Sequence, residues 1–257
     1  MTISKKKRRR ELMKQELPGA WLSIVKRNVL YFSCLPPTYR LRLQGLIQVF
    51  LREKHFEGCG GLEITDEIRL TVAAQACVLI LGLENEFYPR LQSILVYPSV
   101  YIGRIHQRLP DGTVIESPQA RLGETWSQGS LVLAWDDVQR GAYFIHDGHN
   151  VVFHEFAHQL DLESGGADGT PLLPSRSRYV TWARVLGREY KSFLGDLEHH
   201  RRTLLDEYGA TDPAEFFAVA TEFFFENPVQ LRDRHPSLYE QLKLFYKQDP
   251  ASWPRTC

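Results

Sequence analysis

The sequence predicts an α+β fold, and three observations carry that expectation. Apolar residues recur at helical spacing between Pro36 and about Leu83, the period changes to that of short strands between Leu91 and Trp135, and helical spacing returns from Val151 onward. With 43% hydrophobic residues in 257, the chain can bury a sizeable core. Lys plus Arg and Asp plus Glu number 31 each, so no net field draws it to nucleic acid or to an anionic membrane. Direct binding to either is not expected, and a partner recognised by charge has to meet a local patch.

The first such patch opens the chain. Lys5 to Arg10 is an unbroken basic run, followed by the mixed stretch Glu11 to Glu16. Residues 1–16 are expected to form a solvated, disordered tail, because a run of like charges repels itself and nothing aromatic interleaves it. From Pro36-Pro37 onward, Leu41, Leu43, Leu46, Ile47, Phe50 and Leu51 alternate with Arg40, Arg42, Gln44 and Arg52, an amphipathic helix ending near Lys54. Phe56 to Gly61 is a turn or short extended piece. Thr65-Asp66-Glu67 then reads as a helix cap. The run it opens, Leu70 to Leu83, is broken by Thr71 and Gln75 and is too short to cross a bilayer, so it is expected as a core helix.

Ile94 to Tyr97, Val100 to Ile102 and Leu131 to Trp135 read as strands, punctuated by Pro98, Pro110, Gly112, Pro118, Gly123 and Gly129. They predict a small mixed, partly antiparallel sheet whose last strand could offer an edge to an extended peptide. Ser164 to Gly169 is a Gly-rich loop. After it, Tyr179, Trp182, Val185, Leu186, Tyr190 and Phe193 mark a helix to about Leu197, with His199 to Arg202 as a solvated corner.

Between sheet and loop lies Val151-Val152-Phe153-His154-Glu155-Phe156-Ala157-His158-Gln159-Leu160-Asp161, which contains His-Glu-x-x-His. On a helix, residues four apart share a face, so His154 and His158 can reach one ion while Glu155 is carried beside it. A zinc ion with three protein ligands keeps a position for water and lowers that water's pKa from ~15.7 to about 7. Glu155 is then placed to take the proton and pass it to a leaving amine. The helix is apolar on most of its circumference, where two bare imidazoles and a carboxylate would be costly without a metal.

A catalytic site needs a third donor. The pattern with a His six residues beyond the second ligand is excluded, because Ser164 stands there and Asp161 stands where it requires Gly. Asp161 can serve as an acceptor for an imidazole N–H. The better candidates lie on a helix opened by Asp212 as N-cap and Pro213 at its first position. Glu215 is a ligand candidate there, or else closes a capping box. Glu222, seven residues on, is a competing ligand or outer partner, and Glu226 is expected to be solvated.

These stretches, with Leu95-Val96-Tyr97-Pro98, Gly129 to Trp135, Asp212 to Val219, Pro236-Ser237-Leu238-Tyr239 and Phe245 to Pro250, resemble the Mlc titration factor A (MtfA) family over roughly residues 36–250. The resemblance implies a zincin-like metallopeptidase fold of gluzincin type, with His154, His158 and Glu215 binding Zn2+ and Glu155 as catalytic base. It also implies aminopeptidase activity on small substrates and binding of a glucose-responsive repressor, Mlc. The Glu215-Phe216-Phe217-Ala218 stretch is similar to the ligand helix of the anthrax lethal factor protease domain. There a Tyr seven residues before the ligand Glu assists catalysis, and Tyr208 holds the matching place here. The run Lys5 to Arg10 is not a feature associated with the family.

The expected organisation is a single domain over residues 17–257: a helical layer at about 36–90, the sheet and His-Glu-x-x-His helix at about 91–163, and a helical part at about 164–250. Cys34, Cys59, Cys77 and Cys257 form no C-x-x-C pair and no signal peptide opens the chain, which fits a reducing cytoplasm. The competing reading is a regulatory protein-binding module with a structural zinc, and the intact Glu155 argues against it, since a closed site has no use for a base.

Overall fold

Helix α5, Asp66–Leu79, is the axis about which the other elements pack, and every residue from Leu70 to Leu79 is buried. A helix apolar all round must be covered all round. It is covered by α2 (Gly19–Asn28), α4 (Pro37–Glu53), α6 (Trp135–Tyr143) and α7 (Val151–Leu162). Thr65 caps it, its side chain accepting from the Ile68 N–H at 3.3 Å. The computed structural model describes residues 4–84, 87–99, 102–108, 114–120 and 129–254.

The α+β class is found, with the strands divided differently from expectation. His55–Gly58 (β1), Ser93–Tyr97 (β2) and Ser130–Ala134 (β5) form a parallel sheet in the order β1-β2-β5. Ile102–Arg108 (β3) and Val114–Ala120 (β4) pair antiparallel as a separate two-stranded ladder. One mixed sheet is thus replaced by two sheets of single sense. Of the strand expected at Val100 to Ile102, Ile102 opens β3 and the other two residues lie outside the described ones. Pro118 lies within β4, opposite Arg104. Alternate residues Ile94, Val96, Leu131 and Leu133 are buried against the helices. β5 is an edge of the parallel sheet and runs straight into α6, the element that delivers the chain to α7.

The N-terminal run is folded. Lys5–Leu12 is helix α1, capped by Ser4, and Arg9 grips both oxygens of Glu53 on α4 at 2.8 Å each. A tail reading failed because a buried-edge ion pair to a residue 44 positions away leaves no trace in local composition. Among the described cysteines, Cys59 and Cys77 are free thiols.

The C-terminal part comprises α8 (Arg176–Glu198), α9 (Pro213–Glu226), α10 (Pro228–Arg234) and α11 (Pro236–Tyr246). α9 is buried from Ala214 to Glu226 and packs against α7. Their interface is aromatic: Phe153 meets Phe225 at 5.3 Å between ring centroids. Among the described residues no helix is long and apolar enough to cross a membrane.

Candidate metal centre

Helix α7 begins where Asn150 caps it, the side-chain oxygen accepting from the Phe153 N–H at 3.0 Å. The same amide donates to Gln75 Oε1, to the Gly141 carbonyl and to Glu226 Oε1, so the start of the helix is anchored to α5, α6 and α9 at once. An Asn before an apolar helical run is a cap signal, and it was the sequence clue available for this residue. Nothing in the sequence foretold Gln75, a core glutamine that is fully buried.

At the other end of α7, Asp161 accepts from the Gly169 N–H at 2.7 Å. The imidazole partner expected for Asp161 is therefore a loop N–H instead, and the carboxylate folds the Gly-rich turn back on its own helix. Burial lifts Asp161 to about 6, with that bond opposing the rise. Gly169 has φ +77°, its carbonyl accepts from Trp182 Nε1 at 2.9 Å, and a Cβ there would stand 2.3 Å from the Pro213 carbonyl. This glycine joins the end of α7, the start of α8 and the first turn of α9.

Asp212 caps α9 by accepting from the N–H groups of Ala214 and Glu215 at 2.8 and 3.0 Å. The Glu215 side chain turns away from the cap and toward α7. Its Oε2 lies 2.9 Å from His154 Nε2 and 3.3 Å from His158 Nε2, and those two nitrogens are 3.2 Å apart. An ion held tetrahedrally by bonds of about 2.0–2.1 Å sets neighbouring ligand atoms about 3.3 Å apart. The three atoms are spaced close to the edges of one face of such a tetrahedron, the His154–Glu215 edge being the shortest at 2.9 Å. They are the candidate metal group among the described residues.

Glu222 lies on the other side of the His154 ring, away from the three-atom group. Its Oε1 meets His154 Nδ1 at 2.8 Å, and its Oε2 accepts from the Asn150 N–H at 2.6 Å. A carboxylate on Nδ1 fixes the imidazole tautomer that presents Nε2 to an ion. Burial works against a charged His154, yet the Glu215 and Glu222 carboxylates raise its pKa; Glu215 is itself lowered, the two imidazoles overcoming its burial. Burial lowers His158, which is fully enclosed.

Glu226 is buried, against the expectation of a solvated end residue. It accepts from the Tyr31 hydroxyl and from the His146 N–H, and burial lifts its pKa to about 8. Sequence position near a helix end suggested solvent; the neighbouring α3 (Tyr31–Cys34) and the loop before α7 cover it instead.

Glu155 and Tyr208 both line the cleft of about 440 Å³ that His154 and Glu215 floor. Tyr208 is placed by a short 3-10 turn, Glu207–Ala210, and its ring centroid is 5.8 Å from that of His154. Partial burial, then the carboxylates of Glu215 and Glu155, push its phenol up to about 12, so it stays a proton donor through the neutral range. Arg140, Asp137, His149 and Asp206 complete the rim, and sequence spacing did not mark any of them.

A family model described as glucose-regulated metallo-peptidase M90 matches residues 3–247. The chain belongs to that family. Membership covers the basic run as well, which was not expected to be part of the pattern. Relatives of this M90 chain include Mlc titration factor A of Serratia proteamaculans, 34% identical over 232 residues, covering 88% of this chain and 87% of that one. Mlc titration factor A of Klebsiella pneumoniae is 33% identical over 219 residues, 84% of this chain and 82% of the relative. A Synechocystis protein, uncharacterized protein slr2042, is 43% identical over 246 residues, 95% and 89% of the two chains. M90 membership and the His-His-Glu group together make this a metal-dependent peptidase family site.

Proposed function

We propose that the protein is a zinc peptidase of gluzincin type, with His154, His158 and Glu215 as the metal ligands, Glu155 as general base and Tyr208 as oxyanion donor. The observation that carries the reading is the triangle of ligand atoms 2.9 to 3.3 Å on a side, two of whose residues, His154 and Glu215, line an open cleft together with Glu155 and Tyr208. Two imidazoles and one carboxylate are one of the ligand sets that hold hydrolytic zinc. When bound, zinc supplies Lewis acidity toward water and toward the substrate carbonyl.

The protein's own residues do the rest. Glu155 accepts a proton from the attacking water and returns it to the amine nitrogen as the peptide bond breaks. The Tyr208 hydroxyl donates to the carbonyl oxygen as negative charge builds there. Glu222 holds His154 in the ligating tautomer. The name of the relatives, Mlc titration factor, supports a regulatory role in which an Mlc-like transcriptional repressor is a protein partner, alongside peptide substrates and aminopeptidase-type cleavage.

The test is zinc analysis of the purified protein together with Glu155→Gln. Zinc is expected at one equivalent in both proteins and turnover of a peptide library in the wild type alone. Cleavage by the variant at the wild-type rate would refute the base assignment. Repressor capture by the chelated protein, with turnover gone, would show that binding is independent of catalysis.

A further inference from the structure

The basic run takes no part in the cleft, yet it is built into the fold. The Arg9 guanidinium grips Glu53 and lies 4.7 Å over the Phe87 ring, and Lys5 shares the same carboxylate at 3.4 Å. One acid is thereby engaged by two cations. Around it, Lys5 and Arg8 of α1, with Arg52 and Lys54 at the end of α4, line a concavity of about 380 Å³. Arg8 and Arg52 have no acidic partner among the described residues.

Lys54 is the buried member of this lining. It is 8% exposed, and its ammonium donates to the carbonyls of Tyr88 at 2.6 Å and Leu91 at 2.7 Å. An ammonium carries three protons, so one remains for an acceptor in the concavity. Burial lowers Lys54 to about 8, Glu53 opposing and Lys5 and Arg9 adding to the effect. A buried cation among like charges is costly, and an anion seated on it offsets that cost.

We propose that this concavity, formed by Lys5, Arg8, Arg52 and Lys54, is a binding site for a phosphomonoester group. Four cations face one lining carboxylate, Glu53, which Arg9 and Lys5 already neutralise, and the excess positive charge suits a dianion with three free oxygens. A terminal phosphate can enter a concavity end-on, whereas a phosphodiester carries one charge and is tethered on both sides. A membrane surface is disfavoured as a flat partner because α1 has no buried residue and almost no apolar surface to insert. The volume falls at the low end of the roughly 300–1,000 Å³ of small-ligand pockets. A bound phosphate would bridge α1 to α4 and clamp the N-terminal helix in place.

The experiment is isothermal titration of the intact, zinc-loaded chain with inorganic phosphate at constant ionic strength, repeated with the double variant Arg8→Glu/Arg52→Glu. Both arginines are exposed and have no acidic partner among the described residues, so the variant keeps its fold and its peptidase rate. The expected result is saturable one-to-one binding, weakened by about tenfold or more in the variant. Lys54→Met should abolish it, but that variant also releases two carbonyls, so the arginine pair carries the test. Phosphatidate vesicles against phosphatidylcholine vesicles distinguish a lipid headgroup from a free solute as the source of the phosphate. The proposal is overturned if phosphate does not bind, if binding survives the double substitution, as it would for phosphate held at the metal, or if duplex DNA binds more tightly than phosphate through the same residues.

Discussion

Replacing Glu222 by Gln changes one oxygen of a carboxylate into an amide nitrogen and leaves the side-chain shape intact. In the wild type the two oxygens serve two donors, His154 Nδ1 at 2.8 Å and the Asn150 N–H at 2.6 Å. Glutamine has one acceptor oxygen, so whichever donor it keeps, the other faces an NH2 group. One charge-assisted hydrogen bond is lost, worth about 1.5–3 kcal/mol. Where the lost partner is His154, the imidazole is no longer held in the tautomer that offers Nε2 to the ion. A loss of 1.4 kcal/mol is about tenfold in affinity, and outer partners of metal ligands typically contribute about 10–100-fold. Zinc affinity of Glu222→Gln is therefore expected to fall about 10–100-fold, read by competition with a fluorescent chelator at neutral pH, while far-ultraviolet circular dichroism stays unchanged. A variant that keeps its fold and binds zinc within about twofold of wild type would show that the Glu222–His154 contact does not tune the metal.

Three further outcomes follow from the same packing. Tyr208→Phe should lower kcat by about 10–1,000-fold with KM nearly unchanged, because a donor to the developing oxyanion acts in the transition state; equal loss in KM alone would make Tyr208 a binding residue. Glu226 has its pKa raised by burial to about 8, so the folded state holds a proton that the unfolded state gives up near 4.5, and stability should fall as pH rises from about 4.5 to about 8. Glu226→Gln should flatten that slope in denaturant melts across the range, and an unchanged slope would place the titration elsewhere. Gly169→Ala puts a Cβ 2.3 Å from the Pro213 carbonyl at a backbone with φ +77°, and should cost at least about 1–2 kcal/mol by denaturant midpoint, with zinc affinity falling too because the start of α9 shifts.

Much of the architecture was legible in the residues themselves. The α5 cap at Thr65, the α4 span from Pro37 to Glu53 and the α9 start at Asp212-Pro213 were readable because each is a local event, decided by residues within one turn. The His154-Glu155-x-x-His158 spacing is local in the same sense, since a single helix sets it. What sequence spacing could not decide was everything that depends on a second element. Glu215 and Glu222 are both acids on one helix, and only the approach of α9 to α7 puts the first against two Nε2 atoms and the second against Nδ1.

The same limit explains the reversals. Glu226 is near a helix end, which locally means solvent, but Tyr31, 195 residues away, closes over it. Lys5 to Arg10 is locally a solvated run, but Glu53 turns it into a docked helix. Asp161 is three residues from His158, yet the loop at Gly169 claims its carboxylate first. Strand sense was undetermined for the same reason, since pairing partners are distant and parallel and antiparallel ladders accept the same apolar alternation. For this protein the chain alone marked where α4, α5, α7 and α9 run and which residues are candidates for the chemistry, while α1 and α2 were not legible in it. The tertiary structure decided which oxygen meets which nitrogen, because a contact between distant segments is fixed by the packing of whole helices and not by the residues beside it in sequence.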